Sequence, residues 1–456
     1  MRKFLIILAI PGISFAGGFA LSGVGGKALS LAGSYVSIAD DWTAVYWNPA
    51  GLANAKKGFG IHGSLAGIFG DATTKTGIVG MDGPYSLKNY PINSTQSFLI
   101  PAFGFVLPYK NQYFGFALYV PFGLGTKWDL YSLPIGYRDD GLDNYPKIDH
   151  ESSIEVINAV LGYGKKISYF SFGLAIGISR TSILLRKVDF ALLDANGDKI
   201  PDLGYPYSYM PVDVKLTGSG WGFVLNGGVK YEIGSLRAGL AVRYNSSPKI
   251  NGEISANVYF PKNSYYYNSS GGNPIFLGGI GSSSAKGDAV LKLPLILDFG
   301  LAYKLEKITL SSFVQYQGWN SFDVIKLNID SSNQTGDKIL GKFLPSKEEF
   351  IENWKSTFKF GLGLEYRIIQ NTPLRIGFAF DQSPVPDSTF TPLIPDPGNK
   401  IQLTGGFSRE YNNFSYDINF EYFIMPRKEV SKSSYNLPGE YKFSIFALGF
   451  GLNYKF

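Results

Sequence analysis

The sequence predicts an all-β fold, a transmembrane antiparallel β-barrel of about fourteen strands whose lumen is plugged by an N-terminal hatch. Three observations predict it. From about residue 58 onward, apolar and polar side chains alternate with period two. The connections between the alternating runs are short and long in turn. The chain also ends on Phe446, Leu448, Phe450, Leu452, Tyr454 and Phe456, an alternating apolar strand with a terminal aromatic residue.

Composition points the same way. Charged residues are only 17% of the 456-residue chain, against ~25% in an average soluble domain. Gly reaches 55 and aromatics 16%, while hydrophobic residues stay at an ordinary 45%. Low charge with many Gly, Tyr and Phe suits strands that meet lipid on one face. It does not suit helices that span a bilayer, and no run of 18 apolar residues exists. Cysteine is absent, so stability has to come from closure and packing rather than from disulfides. The net charge of +6 includes Arg2 and Lys3, and no basic run suggests nucleic acid.

The first element, residues 1–16, reads as a signal peptide. Arg2 and Lys3 precede an apolar core from Phe4 to Ile13, and Ser14-Phe15-Ala16 is a small-x-small cleavage site. The apolar core is too short for a spanning helix, which needs ~20 residues. Residues 17–56 follow without alternation. Ala28, Leu29, Leu31 and Ala32 fit a short small-residue helix, and Ser37 and Asp40 or Asp41 are candidate caps. Pro49 fixes its own φ and pushes Asn48 out of the helical region, so a turn is expected there. A segment of this length has no core of its own. It must pack in the lumen, with Trp42, Tyr46 and Trp47 in apolar gaps and Asp40 and Asp41 against inward basic groups.

Residues 57–456 form the barrel. Phe414, Tyr416, Ile418, Phe420 and Tyr422 share one face, and Ser415, Asp417, Asn419 and Glu421 the other. Leu374–Asp381 and Leu293–Lys304 repeat the pattern. A charge on the lipid face at mid-bilayer costs ~2–4 kcal/mol, so Arg375 and Asp417 are expected to point inward. Short joins fall near 110–112, 165–166, 234–235, 306–307, 370–371 and 412–413. Long stretches fall at 70–97, 126–151, 191–215, 259–285, 326–353, 384–397 and 428–437. Six short and seven long connections imply fourteen strands with both ends on the short-turn side, as in an outer-membrane barrel.

Little other chemistry is legible. Asp194, Asn196, Asp198 and Asp202 have the spacing of an oxygen-rich calcium loop, but Lys199 stands where such loops carry Gly, so a polar external turn is the favoured reading. Two histidines, His62 and His150, and no cysteine give no transition-metal set. No Gly-x-Ser-x-Gly elbow has a matching His and acid, so the chain is not read as an enzyme, and no cofactor or metal is expected.

The pattern "GGFALSG…GKALSLAG…ADD…NPAGLA" resembles the N-terminal hatch of the FadL/TodX (OmpP1) family, outer-membrane transporters of long-chain fatty acids and aromatic hydrocarbons. Asn48, Pro49 and Ala50 match its Asn-Pro-Ala motif. The stretches 218–253, 293–322 and 375–396 and the last strand are also similar, so the resemblance covers nearly the whole chain. It implies a fourteen-stranded plugged barrel that captures a hydrophobic small molecule outside and releases it sideways into outer-membrane lipid. An acyl chain gains ~0.8 kcal/mol per CH₂ by leaving water, which favours that route over a wet pore. A general porin or a structural, adhesive barrel is the alternative reading, and neither needs a plug. The family's kinked third strand falls on "ALYVPFGLGTKW" (117–128), so Pro121, Gly123 and Gly125 are assigned to the lateral opening. Arg186 and Lys355 resemble basic residues near the family's pocket and are the candidates for a ligand headgroup. The aromatic stretches 257–268 and 274–279 are candidates for external capture. The terminal strand resembles the signal read by barrel-assembly machinery, and a monomer is expected.

Overall fold

The computed structural model describes residues 17–74, 86–87, 92–134, 136–137, 145, 147–194, 198, 200–204, 206–336, 347–369, 371–396, 398–431 and 437–456. The signal segment 1–16 and Asn196 of the calcium-like turn lie outside the described residues. Fourteen strands close a single antiparallel wall. They are β1 Gly58–Thr74, β2 Ile92–Tyr109, β3 Gln112–Trp128, β4 His150–Ile167, β5 Phe170–Leu192, β6 Tyr209–Ile233 and β7 Leu236–Asn245. The circuit continues through β8 Ile296–Lys304, β9 Ile308–Gln317, β10 Thr357–Ile369, β11 Thr372–Asp381, β12 Lys400–Tyr411, β13 Phe414–Ile424 and β14 Gly439–Lys455. Strand β14 pairs with β1 from Gly58↔Lys455 to Thr74↔Gly439, so no edge is left at the seam. In lipid an open edge would leave several kcal/mol per unpaired group unpaid, and closure removes that penalty.

Two-residue periodicity sorts the side chains. Phe414, Tyr416, Phe420 and Tyr422 are exposed on the membrane face, and Ser415, Asp417, Asn419 and Glu421 are buried in the lumen. Arg375 is also inward, donating from Nε to Glu365 at 2.7 Å. Short turns sit at one end, with left-handed residues Lys110, Ser168, Gly234 and Asn412 reversing the chain. The turn expected at 165–166 lies at Ser168-Tyr169 instead, because β4 and β5 pair out to Ile167↔Phe170. At the other end the expected long loops are partly strands. Lys249–Lys262 pairs with the outer part of β6 and with Leu277–Val290, which pairs in turn with Val324–Gly336. The wall therefore rises well above the long-loop rim, and β7 to β10 are interrupted rather than ended there. The breaks, among them Gly318–Phe322 and Glu352–Ser356, turn bulky side chains inward.

Candidate functional site

Residues 17–55 lie inside the wall. Helices Gly26–Ser30 and Ala44–Trp47 are joined by turns, and a 3-10 helix spans Pro49–Asn54. Asn48 is extended at φ −166°, as the following proline requires. Its Oδ1 accepts from the Ala50 amide at 3.1 Å and caps the 3-10 helix. Its Nδ2 donates to the Val36 carbonyl at 3.0 Å and reaches the carbonyls of Val229 on β6 and Leu240 on β7 at 3.3 and 3.4 Å. One carboxamide thus ties two parts of the hatch to two wall strands. Ser37 caps neither helix. Asp41 instead accepts from the Thr43 amide at 2.8 Å just before the second helix.

The aromatic residues pack as expected, but the acids find different partners. Asp40 pairs with Lys27 of the hatch itself at 2.7 Å rather than with a wall cation. Burial alone would raise its carboxyl, but the Lys27 ammonium and the Tyr35 hydroxyl hold it well below the usual carboxylate range. Asp41, beside Asp40 and buried, is pushed upward. This cluster forms the roof of a polar vestibule of about 320 Å³ at the short-turn end, which Arg375 and Asp417 also line.

The wall is imprinted to receive the hatch. A Cβ on Gly228 would lie 2.0 Å from Asn48 Oδ1, and one on Gly173 would lie 2.1 Å from the Pro49–Ala50 peptide. Trp42 rests on Gly104, and Leu31 on Gly363 and Gly377. The lumen glycines are therefore sockets for the hatch backbone and its apolar side chains.

Strand β3 departs from its neighbour. It pairs with β2 only from Phe103↔Leu118 to Tyr109↔Gln112, although β2 stays paired with β1 up to Ile92. Beyond Leu118 the β2–β3 ladder is open, while β3 remains paired with β4 as far as Trp128↔His150. The register against β4 slips between Tyr119 and Phe122, a bulge that contains Pro121. An extra residue inverts side-chain parity. Ala117 and Tyr119 face inward before the bulge, and Phe122, Leu124, Thr126 and Trp128 after it. The freed backbone of β3 takes the start of the hatch as its partner. Leu21 N–H donates to the Pro121 carbonyl and Gly123 N–H to the Phe19 carbonyl, both at 2.9 Å. Behind the opening, Ile100, Val120, Leu21, His62 and Glu421 surround a cavity of only about 10 Å³. That is room for about one water, so hatch and wall pack closely at this point.

Just outside this point the breaks of the wall deliver Trp319, Phe322 and Trp354 against Phe19, all buried. Below them the hatch start is anchored on acids. The Gly17 amide donates to Asp381 Oδ2 at 2.9 Å and the Gly18 amide to Asp396 Oδ2 at 2.7 Å. Lys400 Nζ is 2.7 Å from both Asp396 oxygens, and Lys359 Nζ donates to Gln402 at 3.0 Å. Glu352, at 8% exposure, accepts from Trp354 Nε1 at 3.1 Å. Burial pushes its carboxyl up to about 8 against that hydrogen bond. None of these residues was singled out by sequence reasoning, since their convergence depends on two breaks in the wall that alternation does not reveal.

The headgroup candidates do not come together. On β5 the lumen side is Ser179, Thr181 and Ile183, all buried. Arg186 has the opposite parity, and its Nε and Nη2 are held by Asp213 at 2.9 and 2.7 Å. Lys355 is exposed. His62, by contrast, is a satisfied lumen residue, 3.0 Å from Asn419 Oδ1. In the expected capture stretches Phe276 is buried against Tyr207, leaving Tyr265 and Leu277 exposed. In the calcium-like turn the Asp198 amide donates to Asp194 Oδ1 at 3.2 Å, an ordinary turn contact.

Known proteins share this architecture. A Pseudomonas aeruginosa FadL homologue aligns with a TM-score of 0.72 and 17% identity, over 96% of this chain and 100% of that one. The Pseudomonas putida toluene transporter TodX aligns at 0.67 and 14%, with the same coverage. In sequence, the long-chain fatty acid transport protein of Escherichia coli K12 is 26% identical over 245 residues, 53% of this chain, so the chain spans about half the length of that relative. The Salmonella typhi protein of the same name is 24% identical over 368 residues, 78% of this chain and 76% of its own. The family model for outer membrane protein transport proteins (OMPP1/FadL/TodX) matches residues 7–456. The chain belongs to that outer-membrane family.

Proposed function

We propose that the chain carries hydrophobic small molecules, of the fatty-acid or aromatic-hydrocarbon kind, from outside into the outer membrane by way of the open β2–β3 ladder. It acts as a transporter and not as an enzyme. Residues 17–56 are the hatch, seated on the wall through Asn48, Pro49 and Ala50 and mobile at its start, and Pro121, Gly123 and Gly125 form the lateral opening. The observation that carries this reading is that β3 abandons β2 in mid-wall and pairs with the hatch instead. Such a break would be costly in lipid without a function, because unpaired backbone groups there have no water to satisfy them. The hatch satisfies β3 only while it stays in place, so its movement and the opening of the wall are coupled. The protein acts as a monomer and its terminal strand is read by the barrel-assembly machinery during insertion.

Replacing Gly123 by Trp tests the reading. Uptake of a hydrophobic probe by vesicles or cells carrying the variant should fall, and uptake equal to wild type would refute the lateral route. The plugged lumen also distinguishes this reading from a general porin. Planar bilayers should show low steady conductance, whereas a large open-channel current would favour the porin.

A further inference from the structure

The membrane face of the wall carries a groove on the opposite side of the barrel from the β2–β3 opening. It lies over β8 to β12, opens to lipid and has a volume of about 710 Å³, within the ~300–1,000 Å³ of pockets that bury drug-sized ligands. Cross-strand register accounts for it. Leu301, Ser312, Leu362, Phe378 and Leu403 form one row across the five strands. The four large side chains are exposed and stand up as walls, whereas Ser312 is a gap between Leu301 and Leu362. In the next row toward the short turns the gap is Gly405, beside Ile376.

The floor of the groove is held from the other side. Gly363, Gly377 and Thr404 line it, and the hatch is seated on their lumen face. Leu31 packs on both glycines, and Thr404 Oγ1 donates to the Ser30 carbonyl at 2.8 Å. A depression whose floor is fixed in this way is preformed, so an occupant does not have to order it.

The groove also has a cationic end. Leu403 and Arg409 share the membrane face of β12, six residues apart. That is ~20 Å along the strand and ~15 Å of depth at a tilt of ~40°, half of a hydrocarbon core of ~30 Å. Gly405 leaves the first step of that path open. Arg409 is exposed at the short-turn rim, donates from Nη1 to Thr372 Oγ1 at 2.6 Å and has no carboxylate partner among the described residues. Below the other flank of the groove, Lys304 and Lys307 are exposed on either side of Glu306, so basic groups outnumber acids along this rim. Short turns face the periplasm in such barrels, and the leaflet on that side is phospholipid.

We propose that the groove is a binding site for one anionic phospholipid of the periplasmic leaflet, with an acyl chain over Ser312 and the phosphate at Arg409. The site is separate from the route between β2 and β3 and does not depend on it.

Native mass spectrometry of the full protein, stripped of lipid in detergent, tests this with dioleoylphosphatidylglycerol and dioleoylphosphatidylcholine. The two share their chains and differ in headgroup charge. Wild type should retain one phosphatidylglycerol and hold it about fivefold or more tightly than phosphatidylcholine, the effect of one basic residue near an anionic headgroup. Arg409→Gln should remove most of that preference and leave phosphatidylcholine binding unchanged. Ser312→Trp fills the groove with a residue that lipid tolerates, and should abolish retention of both. Thermal melting after the same additions should show phosphatidylglycerol stabilising wild type and not Ser312→Trp. Should Ser312→Trp not fold, the wild-type headgroup ratio and Arg409→Gln decide alone. Equal retention of the two lipids, retention unchanged in Ser312→Trp, or a protein dimer in place of the lipid adduct would overturn the proposal. None of these outcomes bears on the uptake tests of the lateral route.

Discussion

At the scale of single residues, the hatch is held by groups that each have one acceptable identity. Gly18 has φ +64°, and a Cβ there would lie 2.4 Å from Trp354 and 2.9 Å from Trp319. Gly18→Ala therefore has a strained backbone, worth ~1–2 kcal/mol, as well as a collision with the rings of Trp354 and Trp319. It should loosen the hatch start and change tryptophan emission, measured on the purified protein. Asn48→Ala removes a cap and the donor to the Val36 carbonyl, at ~1–3 kcal/mol for a buried group left unpaired, and breaks the tie to the Val229 and Leu240 carbonyls of the wall. Its expected result is a hatch that opens more often, seen as brief conductance events absent from wild type. Glu352 sets a pH dependence. Its carboxyl is raised to about 8, so between ~4.5 and ~8 the native state holds a proton that the unfolded state has lost. Stability contributed by the neutral acid is thus complete below that window and is lost as pH rises through it. Melting temperatures in detergent should fall from pH 5 to pH 9 in wild type, and less steeply in Glu352→Gln.

At the scale of elements, the decisive feature is one extra residue in β3. Pro121 supplies no amide to a ladder, and the bulge around it turns Phe122 inward where uninterrupted alternation would have put it on the membrane face. Deleting one residue of the Val120–Pro121 pair should remove the bulge, leaving Tyr119 and Phe122 two positions apart and both still inward, in register with Asn158 and Val156. A regular strand there could extend the β2–β3 ladder past Leu118 and close the gap. The variant should insert as a barrel, judged by heat-modifiable gel migration, yet lose uptake of a hydrophobic probe. Much of this element was legible, since Pro and two glycines inside a strand pattern mark a defect. The fourteen strands and the plug were legible too, because lipid imposes strict alternation and closure. The aromatic cluster around Phe19 was not. Trp319 and Trp354 sit in interruptions between strand segments, where no period operates, and Asp381 and Asp396 are 15 residues apart in sequence around a connection. Arg186 shows the opposite failure. Parity and the Asp213 pair, both long-range facts, decide which face its charge serves.

At the scale of the molecule, wall and hatch form one closed packing problem. Glycines on opposite sides of the lumen accept Asn48, the Pro49–Ala50 peptide, Trp42 and Leu31, so the hatch fits in one orientation. Only its first residues also pair with the wall at the β2–β3 opening. Displacing Phe19 therefore breaks the bonds to Pro121 and Gly123 without disturbing the sockets below, so the start of the hatch is the moving part and cargo leaves between β2 and β3. The chain contains no cysteine, so Ile100 and Val120, which line the same small cavity behind the gap, can be replaced by a cysteine pair without background reaction. The most direct measurement compares hydrophobic-probe uptake before and after a short reducible thiol cross-linker joins that pair. Uptake should fall to the level of empty vesicles on cross-linking and return on reduction. Uptake at the full rate through the cross-linked wall would rule out exit between β2 and β3.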